Sequence, residues 1–142
     1  QERELALTLA DRLLLNDDLS VVILTASFVG GLARLSEEEF VPRANVVLES
    51  GVERAVQRLV ESGLRDYLSA NPSDPHSMLV TAWLVSSPVG RSRVGNLIAE
   101  QAGVAPAAFV ATCSSISAKD TIAYEELLRW IEMRNPESLE LL

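Results

Sequence analysis

Residues 77–117 read SMLVTAWLVSSPVGRSRVGNLIAEQAGVAPAAFVATCSSIS, and the reading of this stretch decides the fold. An apolar run, Met78 to Val85, meets a Ser-Ser-Pro break. A segment of helical periodicity follows, with Val94, Leu97, Ile98 and Ala102 on one face, proline near its start and Gly103 at its end. A second apolar run, Ala107 to Thr112, leads into Cys113. Short, continuous apolar runs bounded by breakers fit strands buried on both faces, so the stretch reads as strand, helix, strand.

The flanking chain extends the same alternation. Residues 2–15 form an amphipathic helix with Leu5, Leu9 and Leu13 along one face, stopped by Asn16-Asp17-Asp18. Ser20 to Val29, rich in β-branched residues and closed by Gly30-Gly31, reads as a buried strand followed by a turn. Ser36-Glu37-Glu38-Glu39 is a capping box for a short helical turn ended by Pro42. Val46 to Leu48 is a short strand. Ser50-x-x-Glu53 then opens the clearest helix, with Val52, Val56, Leu59, Val60, Gly63, Leu64, Tyr67 and Leu68 inward. Asn71 to Pro75 is a turn, with His76, read as a surface histidine, just after it. A last helix, Thr121 to Arg134, is broken by Asn135-Pro136, and Ser138 to Leu142 is read as a terminal strand that more chain or a partner would continue. The expected fold is therefore one α/β domain over residues 1–142, a mostly parallel sheet flanked by helices; an all-α domain is the alternative. An echo between Ala6–Leu24 and Tyr124–Leu142, each helix, Asn-initiated break and apolar run, suggests an internal repeat.

Charge and composition narrow the function. The chain has 142 residues and a formal net charge of −8, which argues against a phosphate backbone as partner. A lone cysteine forms no internal disulfide and gives no sign of an oxidising compartment. Leu19 to Leu35 is the only membrane candidate, and its Ser20, Thr25, Ser27 and Arg34 favour a buried core element. No phosphate loop, dinucleotide fingerprint or spaced metal-ligand set is present, so neither cofactor nor metal is expected.

Two readings of the central stretch compete. Ile98 to Pro106 has the alanine, glycine and apolar spacing of a helix-turn-helix, with a second helix from Pro106 to Ser115. That second helix offers no Arg, Lys, Asn or Gln to read base edges, and only Arg91 and Arg93 stand nearby for phosphate. In the other reading, Leu79-Val-Thr-Ala, Pro88 to Gly103, and Ala107 to Cys113-Ser-Ser resemble the thiolase-like condensing enzymes, β-ketoacyl-acyl-carrier-protein synthase III in particular. The resemblance implies a thiolase-like half and an acyltransferase of ketoacyl-synthase type in fatty acid or polyketide biosynthesis. It implies a cytoplasmic setting, an acyl carrier protein or coenzyme A thioester as partner, and a second subunit or homodimer. Cys113 would open a helix and accept the acyl group as a thioester, since a helix N-terminus favours the thiolate.

The same family is an internal duplication. Matched to its second half, the chain should carry a histidine around Leu84 to Ser87 and an asparagine at Ser114 or Ser115; it carries neither, and Cys113 becomes an ordinary strand-end thiol. In either register the cysteine, histidine and asparagine set is incomplete, so the chain would be a half, a piece or a subunit, catalytically incomplete alone. The alternative function is a non-catalytic acidic module for protein contact, built around a helix-turn-helix-like segment.

Overall fold

A computed structural model describes residues 1–73, 78–88 and 90–142. His76 lies outside the described residues. Helix accounts for 84% of the described residues, and none of them is in a strand. The expected α/β thiolase-like sheet is thus overturned in favour of an all-helical fold. The chain divides into two compact units, Gln1–Tyr67 and Leu68–Leu142.

The first unit contains α1 (Glu2–Leu13), α2 (Leu19–Gly31), a short 3-10 turn (Leu32–Arg34), α3 (Glu37–Glu49) and α4 (Glu53–Leu59). A π-helical segment (Val60–Leu64) joins α4 to α5 (Arg65–Ala70). The expected strand Ser20–Val29 is α2. An apolar run of this length has no periodicity that separates strand from buried helix; its caps decide. Asp18 sits at the N-cap and its Oδ1 accepts from the Ser20 N–H at 3.0 Å, so the Asn-Asp-Asp group that stops α1 also starts α2. Thr25 donates back to the Val21 carbonyl at 2.7 Å, which lets a β-branched polar residue sit buried inside a helix.

Val46–Leu48, expected as a strand, lies within α3. The Ser36 cap is present, accepting from the Glu39 N–H at 3.4 Å. Pro42, however, is inside α3 rather than at its end. In the turn that its missing N–H weakens, Arg43 donates to the Glu39 carbonyl and carboxylate at 3.0 and 2.9 Å, and pairs with Asp11 of α1 at 2.9 Å. Ser50 does not cap α4: its hydroxyl donates to the Val47 carbonyl at 2.6 Å and accepts from the Val52 N–H at 3.2 Å. Gly51, at φ 70°, then makes the left-handed turn into α4.

The core of this unit is set by a backbone crossing. A Cβ placed on Gly63 would lie 2.6 Å from the Gly30 Cα and closer still to its carbonyl oxygen; one placed on Gly30 would lie 2.6 Å from the Ser62 Cβ. Gly30, expected in a turn, is therefore the contact point of α2 with the π segment. Around it Val29, Phe40, Val47, Leu59 and Leu64 are fully buried, and the Phe40 and Tyr67 rings meet at 5.3 Å.

The second unit contains α6 (Met78–Val85), α7 (Arg91–Val104), α8 (Pro106–Lys119), α9 (Thr121–Arg134) and a closing 3-10 helix (Pro136–Leu141). The three expected strands Met78–Val85, Ala107–Thr112 and Ser138–Leu142 are helical here. Pro106 occupies the first turn of α8, where its missing N–H costs nothing. The buried hydroxyls again turn inward, Ser86 to the Ala82 carbonyl at 2.7 Å and Thr112 to the Ala108 carbonyl at 2.9 Å. Asp120 caps α9 through the Ile122 and Ala123 N–H groups. The echo between the two ends of the chain does not extend past the first helix, since α1 leads into α2 and α9 into a 3-10 helix.

Arg91 ties this unit together. It donates to the Trp83 carbonyl at 3.0 Å, one of the last carbonyls of α6, lies over the Trp83 ring at 5.1 Å, and pairs with Glu126 of α9. Trp83 in turn donates from Nε1 to the Ala123 carbonyl at 2.9 Å. Gly95 gives Trp130 its place, because a Cβ there would lie 2.5 Å from the indole nitrogen.

Two measurements check this account. Gly63→Ala should lower stability in urea unfolding by at least the roughly 1–3 kcal/mol of ordinary overpacking, because the obstruction is backbone, and Gly95→Ala should do the same through Trp130. Gly103→Ala, in open space on α7, should instead gain about 0.5–1 kcal/mol from helix propensity. Arg91→Ala should cost roughly 2 kcal/mol or more by leaving the Trp83 carbonyl and Glu126 short of a donor, and Arg91→Lys should recover only part of that.

Candidate functional site

Cys113 does not open a helix. It is the eighth residue of α8, 1% exposed, and its thiol is pushed up to about 12 by burial. The helix N-terminus that would favour a thiolate is two turns away, at Pro106. The phenol of Tyr124 on α9 is likewise raised, first by burial and then by the charge that Cys113 would carry. These surroundings favour the neutral thiol. Ser114, exposed, and Ser115, half-buried, occupy the place where the resemblance asked for asparagine. Among the described residues no group of three or more His, Cys, Asp or Glu side chains is placed to hold a metal ion.

The helix-turn-helix spacing corresponds to real helices. α7 and α8 are joined through a single residue, Ala105, and share a buried polar contact at 3.0 Å between the Thr112 hydroxyl oxygen, whose proton goes to the Ala108 carbonyl, and the Gln101 side-chain amide. The exposed positions of α8, Pro106, Ala107, Ser114, Ser117, Ala118 and Lys119, carry one long cationic side chain and no amide. Arg91, one of the two arginines considered for phosphate, is 14% exposed and committed to Trp83 and Glu126.

The feature that sequence reasoning passed over lies on α1 and α2. A groove of about 320 Å³ runs between them, lined by Ala6, Leu9, Ala10 and Leu13 from α1 and by Leu24, Thr25 and Phe28 from α2. Its one polar lining side chain, Thr25, spends its hydroxyl proton on the Val21 carbonyl. The walls are unusually apolar for a surface: Leu9 is 56% exposed, Leu24 67% and Phe28 43%, with Leu5 at 70% beside them. The leucines of α1, four residues apart, mark one wall in the sequence, and the second wall exists only because Ser20–Val29 is a helix and not a strand buried on both faces.

Comparison with models of protein families, with curated proteins and with solved structures gives no match. Among the described residues no helix is long and apolar enough to cross a membrane.

The thiol reading has a direct check. Iodoacetamide should label Cys113 at least tenfold more slowly in the folded chain than in urea, and rapid native labelling would contradict the burial described here. A thiol raised from 9.0 to about 12 contributes stability that is complete below pH 9 and lost as the pH climbs toward 12. Cys113→Ala should accordingly flatten the alkaline limb of the stability profile.

Proposed function

We infer that the chain is a non-catalytic, acidic, all-helical module whose work is contact with another protein. The observation that carries this reading is the apolar surface on α1 and α2, where Leu5, Leu9, Leu24 and Phe28 stay exposed together. Single exposed leucines are ordinary on a protein surface; a lined groove of them is the usual mark of a binding face. The condensing-enzyme reading does not accompany it, because acyl transfer through Cys113 relied on a sheet that brings a cysteine to a helix start. A cytoplasmic setting goes with the proposal, in keeping with a thiol that has no partner cysteine.

The α7–α8 pair supports protein contact over nucleic acid. It has the helix, tight turn, helix order, but the outward residues of α8 are small and the chain carries −8.

Selection of displayed random peptides on the immobilised, folded chain tests the reading. A recurring sequence pattern whose binding is competed by free chain is the expected result. Absence of any competable pattern, or an acyl adduct on Cys113 after incubation with an acyl-coenzyme A, detected by intact mass and lost in Cys113→Ala, would overturn it.

A further inference from the structure

The α1–α2 groove has a definite electrostatic character, and the inference drawn from it deepens the interaction reading and rests on it. Helix α1 begins at Glu2 and Glu4, and α2 is headed by Asp17 and Asp18; all four are exposed. Over residues 1–31 there are five carboxylates and two arginines, Arg3 and Arg12, and none of the lining residues is charged. One of the five, Asp11, is already engaged with Arg43. The result is an apolar floor with more carboxylates than arginines around it, and carboxylates at the starts of both walls.

Two occupants compete for such a surface. A second copy would bring the same apolar face, but also the same excess of carboxylates and a net charge of −8, so like charges would meet at the rim. A basic partner meets the opposite. The backbone of both walls is committed to its own helical hydrogen bonds, and no strand edge is offered among the described residues. An incoming α-helix satisfies its own backbone and needs nothing of the walls but apolar contact, whereas an incoming β-strand would find no edge to pair with.

We propose that the α1–α2 groove is a docking site for a basic amphipathic helix of a partner protein. Its leucine- or phenylalanine-type side chains, at i, i+3 or i+4, and i+7, insert between Leu9 of α1 and Leu24 and Phe28 of α2. Its flanking lysines or arginines face Glu2 and Asp17. Apolar insertion supplies the affinity, and the rim charges set the choice of partner and the salt dependence.

The probe is a fluorescein-labelled synthetic helix of about 18 residues, leucine at i, i+3, i+4 and i+7 with lysine and arginine flanks, followed by anisotropy against the whole chain. Two control helices carry glutamate flanks or a scrambled apolar order. Leu24→Glu and Phe28→Glu alter exposed positions, so circular dichroism should show the fold intact, and each should weaken binding at least tenfold. Glu2→Lys and Asp17→Lys should weaken it several-fold, added salt should do the same to the native chain, and neither control helix should bind. Failure of the basic helix to bind, or equal binding by the Leu24→Glu and Phe28→Glu variants, would overturn the groove. A concentration-dependent dimer in sedimentation that Phe28→Glu dissolves would overturn it too, by seating a second copy there. In each case a competable pattern from peptide display that is indifferent to these substitutions would leave the wider interaction reading standing.

Discussion

Two glycines hold the first unit in shape. Because neither Gly30 nor Gly63 has a Cβ, α2 and the π segment approach until the Gly30 carbonyl touches the other backbone. At an ordinary helix-packing distance of about 8–10 Å, side chains fill the interface. Here the backbones take that role locally, and the larger residues, Val29, Leu59 and Leu64, are pushed to either side where they meet Phe40 and Val47. The second unit solves the same problem differently. There Gly95 yields space to a tryptophan, and an arginine joins the end of one helix to the middle of another.

The amphipathic helices other than α3 were legible in the sequence, and the buried ones were not. Residues 2–15, 52–68 and 121–134 each show one apolar and one polar face, and each is helical close to those bounds. Ser20–Val29, Met78–Val85 and Ala107–Thr112 are apolar on nearly every side, and for such runs period 2 and period 3.6 cannot be distinguished. What identifies them is local: an aspartate just ahead of the first run at Asp18, a proline at Pro106 that suits a helix start, and buried hydroxyls that donate to the carbonyl four residues back. The helix-turn-helix spacing around Gly103 contained the right secondary structure, and the thiolase-like pattern did not.

The site was less legible than the fold because it is made by pairing. The leucines of α1 are visible in the sequence as one face of a helix, and an amphipathic helix is expected to bury that face. Only when α2 is also helical does it become apparent that the two faces fit incompletely. Leu7, Ala10 and Leu14 go inward while Leu5 and Leu9 remain out, and α2 adds Leu24 and Phe28 to the uncovered side. Cys113 illustrates the reverse case. A single cysteine invites a chemical role, yet its neighbours in α8 and α9 withdraw it from solvent and hold its proton on.

The π segment carries a consequence for how this sequence can change in length. Five residues, Val60–Leu64, complete a turn that an α-helix makes in fewer. Loss of any one of them would give a continuous α-helix from Glu53 onward, with all the apolar residue types retained. Every side chain beyond the deletion would nonetheless keep its face, because four α-helical residues turn the chain about as far as these five do. Tyr67 would still face Phe40, and Asp66 would still face Arg34, with which it now pairs at 2.7 Å. In this helix, then, the wide turn is where the residue count is free to change by one, and the glycine that meets Gly30 is what must stay.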